Sequence, residues 1–346
     1  MAVIVSKVRF RDPRVEMAHG AGGKASRRLI DGLFAPILFG PGPAPLGDAA
    51  HLVINGTCVA LTTDSFVVNP LRFPGGSIGE LAVNGTVNDL AVSGARAQAL
   101  VVSYVLEAGL GSDILEAEVR AMAAAASAAG VIIAGGDTKV VEHGKADQMY
   151  ITTSGIGHLI PGLSISPVAV RSGDKILLSG PIGDHGITIL LARGGLDLDA
   201  DLRSDTRSVL PMVEALADAV GAGVHWMRDP TRGGVATSLN ELANDCGLGI
   251  QLAEDRIPIR DEVRGACELL GLDPLHIANE GQFLAVVAAE QAEAALDALR
   301  ATTGGQEAAL IGEITEQPAG AVLITTLYGG TRIIDMLVGD PLPRIC

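Results

Sequence analysis

The sequence predicts two domains that each mix α-helices with β-strands, in an order that reads as α/β or α+β and not as a strict βαβ series. Three observations point there. A chain of 346 residues is long enough for two cores. Aromatic residues make up only 3% while glycine reaches 44 positions, so the core must be Val, Leu, Ile and Ala packed between sheets and helices. Apolar runs of strand length interleave with helical periodicity on both sides of a proline-bounded break, Pro161–Pro167.

Composition narrows the partners. The formal charge is −15 and Lys and Arg nowhere cluster, which argues against a nucleic-acid or anionic-membrane surface. Cysteines 58, 246, 267 and 346 are far apart and include no CxxC, which argues against a zinc or iron–sulfur site and against a disulfide framework. The opening MAVIVSKVRFRD is no signal peptide, and the apolar stretch Ala121–Gly136 is too short to span a bilayer. A cytoplasmic protein is expected.

The N-terminal arm, residues 1–47, carries His19-Gly20-Ala21-Gly22-Gly23-Lys24. Glycines at 20, 22 and 23 let backbone N–H groups turn toward an anion, and Lys24 adds charge. The spacing is not that of a P-loop, and a flexible turn before a helix over Ala25–Phe34 is the plain alternative. GPGPAPLG, residues 40–47, is a linker. The first domain, 48–160, opens at Asp48. Asn55-Gly56 predicts a hairpin between Leu52–Ile54 and Thr57–Thr63, leaving Asp64 at a strand end. Ser77 and Glu80 read as a capping box. In the following helix Asp89 is the only charge from Leu81 to Ala95, and a 100° wheel puts it on the small, apolar face. A carboxylate there needs a counter-charge: magnesium, which favours one or two carboxylates with substrate phosphates, or else a salt bridge to Arg96. A strand at Ala97–Leu106 and a helix at Asp113–Ala129 follow. Then a buried strand, Val131–Ala134, is expected to deliver Gly135, Gly136, Asp137, Thr138 and Lys139 as a loop suited to nucleotide phosphate and metal. Met149–Leu159 completes the sheet.

The second domain, 168–330, is expected to contain strands at 175–179, 224–227, 249–253, 283–288, 308–315 and 321–327. Helices are expected at 185–193, 205–220, 234–246 and 289–300. Its loops Gly180–Gly186, Arg228–Gly234 and Asn279–Gln282 are candidate substrate edges, the first two because they precede helix N-termini. Cys246 and Cys267 lie among apolar neighbours and read as packing thiols. The tail, 331–346, ends Pro341-Leu342-Pro343-Arg344-Ile345-Cys346. Its prolines favour an extended approach, and from Leu337 it could reach roughly 30 Å. Cys346 is either a reactive thiol delivered by that reach or the end of a frayed terminus.

These motifs together, with the block from Thr62 to Ala95, GGDTKVV, GDHG, DPTRGG, ANEGQ and the closing PRIC, resemble the HypE family of hydrogenase maturation proteins over essentially the whole chain. Most of the block is shared with the wider PurM-like superfamily, which includes selenophosphate synthase and thiamine-monophosphate kinase; PRIC narrows it. The resemblance implies a two-domain PurM-like fold with a mobile tail, and a homodimer whose N-terminal sheets pair into a barrel near bound ATP. It implies that a carbamoyltransferase, HypF, loads Cys346. ATP and Mg2+ then drive dehydration to a thiocyanate, and the cyanide passes to a HypC–HypD scaffold for the [NiFe] centre. By the same resemblance Asp48, Asp64, Asp89 and Asp229 would hold Mg2+. Gly20, Gly22, Gly23, Lys24, Asn88, Gly135, Gly136, Asp137 and Thr138 would meet the nucleotide, with Lys139 and Glu280 acting beside Cys346. Relatives often carry an acidic residue just before Asp48, where this chain has Gly47. The alternatives are another PurM-like ATP-dependent enzyme acting on a small diffusible substrate, or a non-catalytic metal carrier using the tail thiol.

Overall fold

Asn55 and Gly56 both take left-handed backbone conformations (φ 49° and 82°), which turns β1 (Ala50–Ile54) back as β2 (Thr57–Phe66) in register from Ala50 opposite Leu61 to Ile54 opposite Thr57. The chain is described here by a computed structural model covering residues 9–40, 46–194, 200–339, 342 and 344–346. Pro341, Pro343, most of the 40–47 linker and the first eight residues fall outside that description.

Two short strands, β3 (Arg72–Phe73) and β4 (Gly76–Ser77), lead into α3 (Ile78–Val92). Earlier in the chain, α1 (Lys24–Leu29) runs through a π turn, Ile30–Phe34, into α2 (Ala35–Leu38). After α3 come β5 (Ala95–Glu107), α4 (Ser112–Ala129), β6 (Ile132–Val141) and β7 (Met149–Leu159), and the sheet order is β1-β2-β7-β5-β6. Only β5 and β6 are parallel within it. Helices α3 and α4 pack together, with α3 covering one face of the sheet. The described sheet is open, with β1 and β6 as edges, so one chain forms no closed barrel. Among the described residues nothing covers its other face: Leu61, Ile156, Ala99 and Ile132 form one cross-strand row, and Leu61, Ile156 and Ile132 are exposed.

Two expectations for this domain are corrected. The capping box at α3 does not form, and Ser77 Oγ is buried without a partner. Glu118 of α4 takes over the helix start, accepting from Gly79 N at 3.1 Å and pairing with Arg72 Nε at 2.7 Å. Residues 135–139 are not a loop after a buried strand. They lie within β6, exposed along almost its whole length because nothing covers that edge. Asp137 and Lys139, two apart and so on one side of the strand, pair with each other at 2.5 Å.

The second sheet has the order β14-β13-β10-β12-β8-β11-β9. Its strands are β8 (Lys175–Leu178), β9 (Val224–Arg228), β10 (Gly249–Ala253), β11 (Leu284–Val287), β12 (Ala309–Thr315), β13 (Val322–Thr325) and β14 (Thr331–Ile334). The helices are α5 (Asp184–Ala192), α6 (Leu210–Val220), α7 (Gly234–Cys246), α8 (Asp261–Leu270) and α9 (Ala292–Ala301). The helix expected from 205 starts only at Leu210, because the preceding residues are drawn into the domain boundary. Asp205 accepts from Glu280 N and Gly281 N, both at 3.1 Å, and Val209 N donates to Asn88 Oδ1 at 2.8 Å. Arg96 of β5 meets Glu214 of α6 at 2.5 Å, so the two domains share an ion pair as well as a continuous apolar core. Cys267 is buried in α8, and burial pushes its thiol up to about 11.

Candidate active site

Three carboxylates converge where the domains meet. Asp48 precedes β1, Asp89 lies on α3, and Asp229 follows β9. Each offers an oxygen within 4.8 Å of those of the other two. Thr62 of β2 sits between them, its hydroxyl 2.7 Å from Asp48 O and 3.0 Å from Asp89 Oδ2. Arg96 is spent on Glu214, which removes the salt bridge considered for Asp89. Burial, followed by the charges of Asp229, Asp48 and Asp64, pushes the Asp89 carboxyl well above the usual range. Asp229 shifts the same way, through burial and Asp48, against a lowering pull from Arg228. Asp64 is raised by burial and lowered mainly by Arg232. Arg228 bonds Asp48 at 2.9 Å and Glu241 at 2.6 Å, so part of its charge goes outside the cluster. Buried negative charge of this density, presented wholly as oxygen, matches the donor set of a hard divalent cation.

The glycine-rich arm closes over this cluster. Gly20, Gly22, Asp48, Asp229, Thr231 and Arg232 line a cavity of about 210 Å³. Gly22 has φ 76°, and a Cβ there would stand 2.6 Å from Arg232 O, so only glycine fits. Lys24 does not turn its charge toward a phosphate as expected, but toward a carboxylate of its own chain. Its ammonium lies 2.5 Å from Asp335, and its N–H donates to Leu337 O at 2.8 Å. The loop thereby straps the arm to the segment that leads into the tail.

Glu280 and Cys346 both face Arg232, which lines one cavity with Cys346. The Glu280 side chain is buried, with Oε1 unpartnered among the described residues. Burial, then Asp229 and Asp64, push its carboxyl well above the usual range. Cys346 is buried too, its main-chain oxygen accepting from Val67 N at 3.0 Å. Between them stands Arg232, held above its ordinary value first by the negative charge of Cys346 and further by Asp64 and Glu280. It donates to Gly20 O at 3.2 Å. Sequence reading singled out the loop that carries Arg232 but assigned only Asp229 within it.

Other candidates fall elsewhere. Asn88 is buried, with Nδ2 donating to Arg207 O at 2.9 Å and Glu280 O at 3.1 Å. One amide hydrogen thus holds the segment before α6 and the other the Glu280 loop, and none is left for a nucleotide. Gly135, Gly136, Asp137, Thr138 and Lys139 lie on β6, three strand positions from β2 and so roughly 14 Å away across the sheet. Within one chain Lys139 is not brought to Glu280.

Comparison with known proteins agrees with this layout. Residues 46–159 match the model of the AIR synthase related protein N-terminal domain, and residues 171–325 that of its C-terminal domain. Carbamoyl dehydratase HypE of Azotobacter vinelandii is 48% identical over 342 residues, covering 99% of this chain and all of the relative. HypE of Escherichia coli K12 is 44% identical over 337 residues, 96% of this chain and 99% of its own. Among solved structures, a HypE–HypF complex matches with a TM-score of 0.84 at 42% identity, over 89% of this chain and 99% of that one. A HypE complex with ATP matches with a TM-score of 0.80 at 45% identity, over 96% and 100%.

Proposed function

Because this chain belongs to the HypE family of AIR synthase related proteins, we propose that its cleft dehydrates a carbamoyl group carried on Cys346 to a thiocyanate. The enzyme is an ATP-binding carbamoyl dehydratase of hydrogenase maturation with a mixed α/β, two-domain PurM-like fold. The observation that carries the residue assignment is the seating of Cys346 beside Arg232 and the unpartnered Glu280, next to the carboxylate cluster.

ATP supplies a phosphoryl group that turns the carbamoyl oxygen into a leaving group, and Mg2+ supplies charge neutralisation for that transfer. Asp48, Asp89 and Asp229, with Asp64 beside them, would hold the cation. Gly20, Gly22 and Gly23 would line the phosphates. Nitrile formation takes two protons from the carbamoyl nitrogen and loses the oxygen as phosphate. Glu280, its Oε1 unpartnered in a buried setting where its basicity is raised, would take one proton, and the departing phosphate would carry off the other. Arg232 opposes the negative charge that builds on the oxygen.

Several finer assignments are our reading. We divide the chain into an arm 1–47, domains 48–160 and 168–334, and a tail beyond β14 that exchanges between this seat and an outward state; the boundary expected at 330 moves because Thr331–Ile334 pairs with β13. HypF loads the outward tail, as the solved complex of a relative suggests, and a HypC–HypD scaffold takes the cyanide. The bare row of Leu61, Ile156 and Ile132 supports a homodimer closed through the N-terminal sheets, and Lys139 then acts on the partner copy's site. Among the described residues no helix is long and apolar enough to cross a membrane, and we place the enzyme with its partners in the cytoplasm. The test is intact mass. Protein carbamoylated at Cys346 and given magnesium and ATP should lose one water, and an adduct of unchanged mass would overturn the assignment.

A further inference from the structure

Residues 344–346 are held largely through their main chain. Cys346 O accepts from Val67 N at 3.0 Å, and Arg193 Nη2 donates to Arg344 O. Arg344 donates in turn to Val67 O through Nε at 3.2 Å and Nη2 at 3.1 Å, and pairs with Asp147 at 2.8 Å. The deepest contact is different in kind. His185, fully buried in α5, places Nε2 at 2.9 Å from Ile345 O and Nδ1 at 2.7 Å from Ser204 Oγ.

The partners fix the proton positions. A carbonyl only accepts, so Nε2 carries the hydrogen. Burial pulls the His185 pKa below its ordinary value, leaving the ring neutral and Nδ1 an acceptor. Ser204 therefore donates to Nδ1, while its oxygen accepts from Thr206 N at 3.1 Å. Phe73 meets the ring edge-on with centroids 5.5 Å apart, and Ser204 N is tied to Pro74 O at 2.9 Å. The ring is thus held on both sides with one N–H aimed at the tail.

We propose that His185 is the positioning residue that seats Cys346, by bonding the carbonyl of the residue before it. This deepens the assignment of Cys346 as carrier of the reacting group. Because the bond is to the backbone of residue 345, it is the same whether the sulfur is free, carbamoylated or converted to thiocyanate. Binding that is uniform along a reaction path raises occupancy of the site without favouring one step. The latch should therefore set how often the tail is seated, not how fast the seated group reacts.

The test needs neither ATP nor a partner enzyme, so its failure is distinct from failure of the dehydratase assignment. Full-length protein is treated with iodoacetamide, and the cysteines are followed by mass spectrometry after cleavage at methionine, Cys346 lying in the fragment that begins at Leu337. His185→Leu should raise Cys346 alkylation about fivefold to tenfold, the size the loss of one hydrogen bond supports. His185→Gln, which keeps an N–H donor, should stay near the wild-type rate, and Ser204→Ala should fall between. Exposed Cys58 should be unaffected and buried Cys267 should stay protected. Unchanged Cys346 protection in both His185→Leu and Ser204→Ala would overturn the proposal. So would a rise shared by Cys267, which would mark general loosening of the fold.

Discussion

At Asp89, burial and three neighbouring carboxylates all push the carboxyl upward, so a cation held there, as proposed, would relieve the crowding. Asp89→Asn should fold, melt no lower than wild type in EDTA, and lose the rise in melting temperature that magnesium with ATP gives the wild type. Its ATP affinity by calorimetry should drop at least tenfold, about 1.4 kcal/mol. Asp184 provides a control outside that cluster. Burial raises its pKa to about 6 although Arg260 bonds it at 2.8 Å. A carboxyl whose folded pKa exceeds its unfolded value of 3.8 contributes stability below that value and loses it as pH climbs through about 6. Asp184→Asn should therefore match wild type in stability at pH 4 and exceed it at pH 7.5, by about 1–2 kcal/mol after allowing for solvent screening, as read from urea titrations at the two pH values. Asp89 could be singled out from sequence because it stood alone on a small, apolar helix face, whereas Asp48, Asp64 and Asp229 came from the family resemblance. Arg232 could not, and Asn88 was assigned to the nucleotide instead of the Glu280 loop, since the contacts of both depend on Cys346 and Glu280, residues far away in sequence.

Elements show the same division between local and distant causes. The β1–β2 hairpin, α4 with its Gly130 cap and α7 follow from local chemistry, and the sequence reading placed them within two or three residues. The start of α3 does not, because its cap comes from Glu118 in another helix. Glu118→Ala should cost about 1–3 kcal/mol in urea unfolding, since it leaves the buried Gly79 N–H without its acceptor, while the half-exposed Arg72 stays hydrated. Ser77→Ala, which removes a hydroxyl that caps nothing, should cost less than about 1 kcal/mol. β6 misled for a related reason. Its apolar start looks like a core strand, yet its pairing with β5 alone leaves it at an edge, where Ile132 and Val140 stand exposed.

For the molecule as a whole, the separation of Lys139 from Glu280 within one chain makes a sharp expectation. Lys139→Ala and Glu280→Ala should each abolish dehydration while still accepting a carbamoyl group at Cys346. Co-expressed and purified as a mixed pair, they should regain up to half of the activity per dimer, because one of the two shared sites is then intact. No recovery in verified mixed dimers would place Lys139 outside the reaction. Adjacent positions on α3 bear on a different question, that of spacing. Asp89 belongs to the carboxylate cluster, and Asn88 fastens the loop of Glu280. One turn of helix is therefore the common origin from which two distances are measured, one to the carboxylate cluster and one to the Glu280 loop. Sliding one domain along the other would break the Asn88 bonds before it could alter the gap between them. The interval across which the group must react is calibrated once, when the chain folds, and moving parts elsewhere do not have to reset it at each turnover.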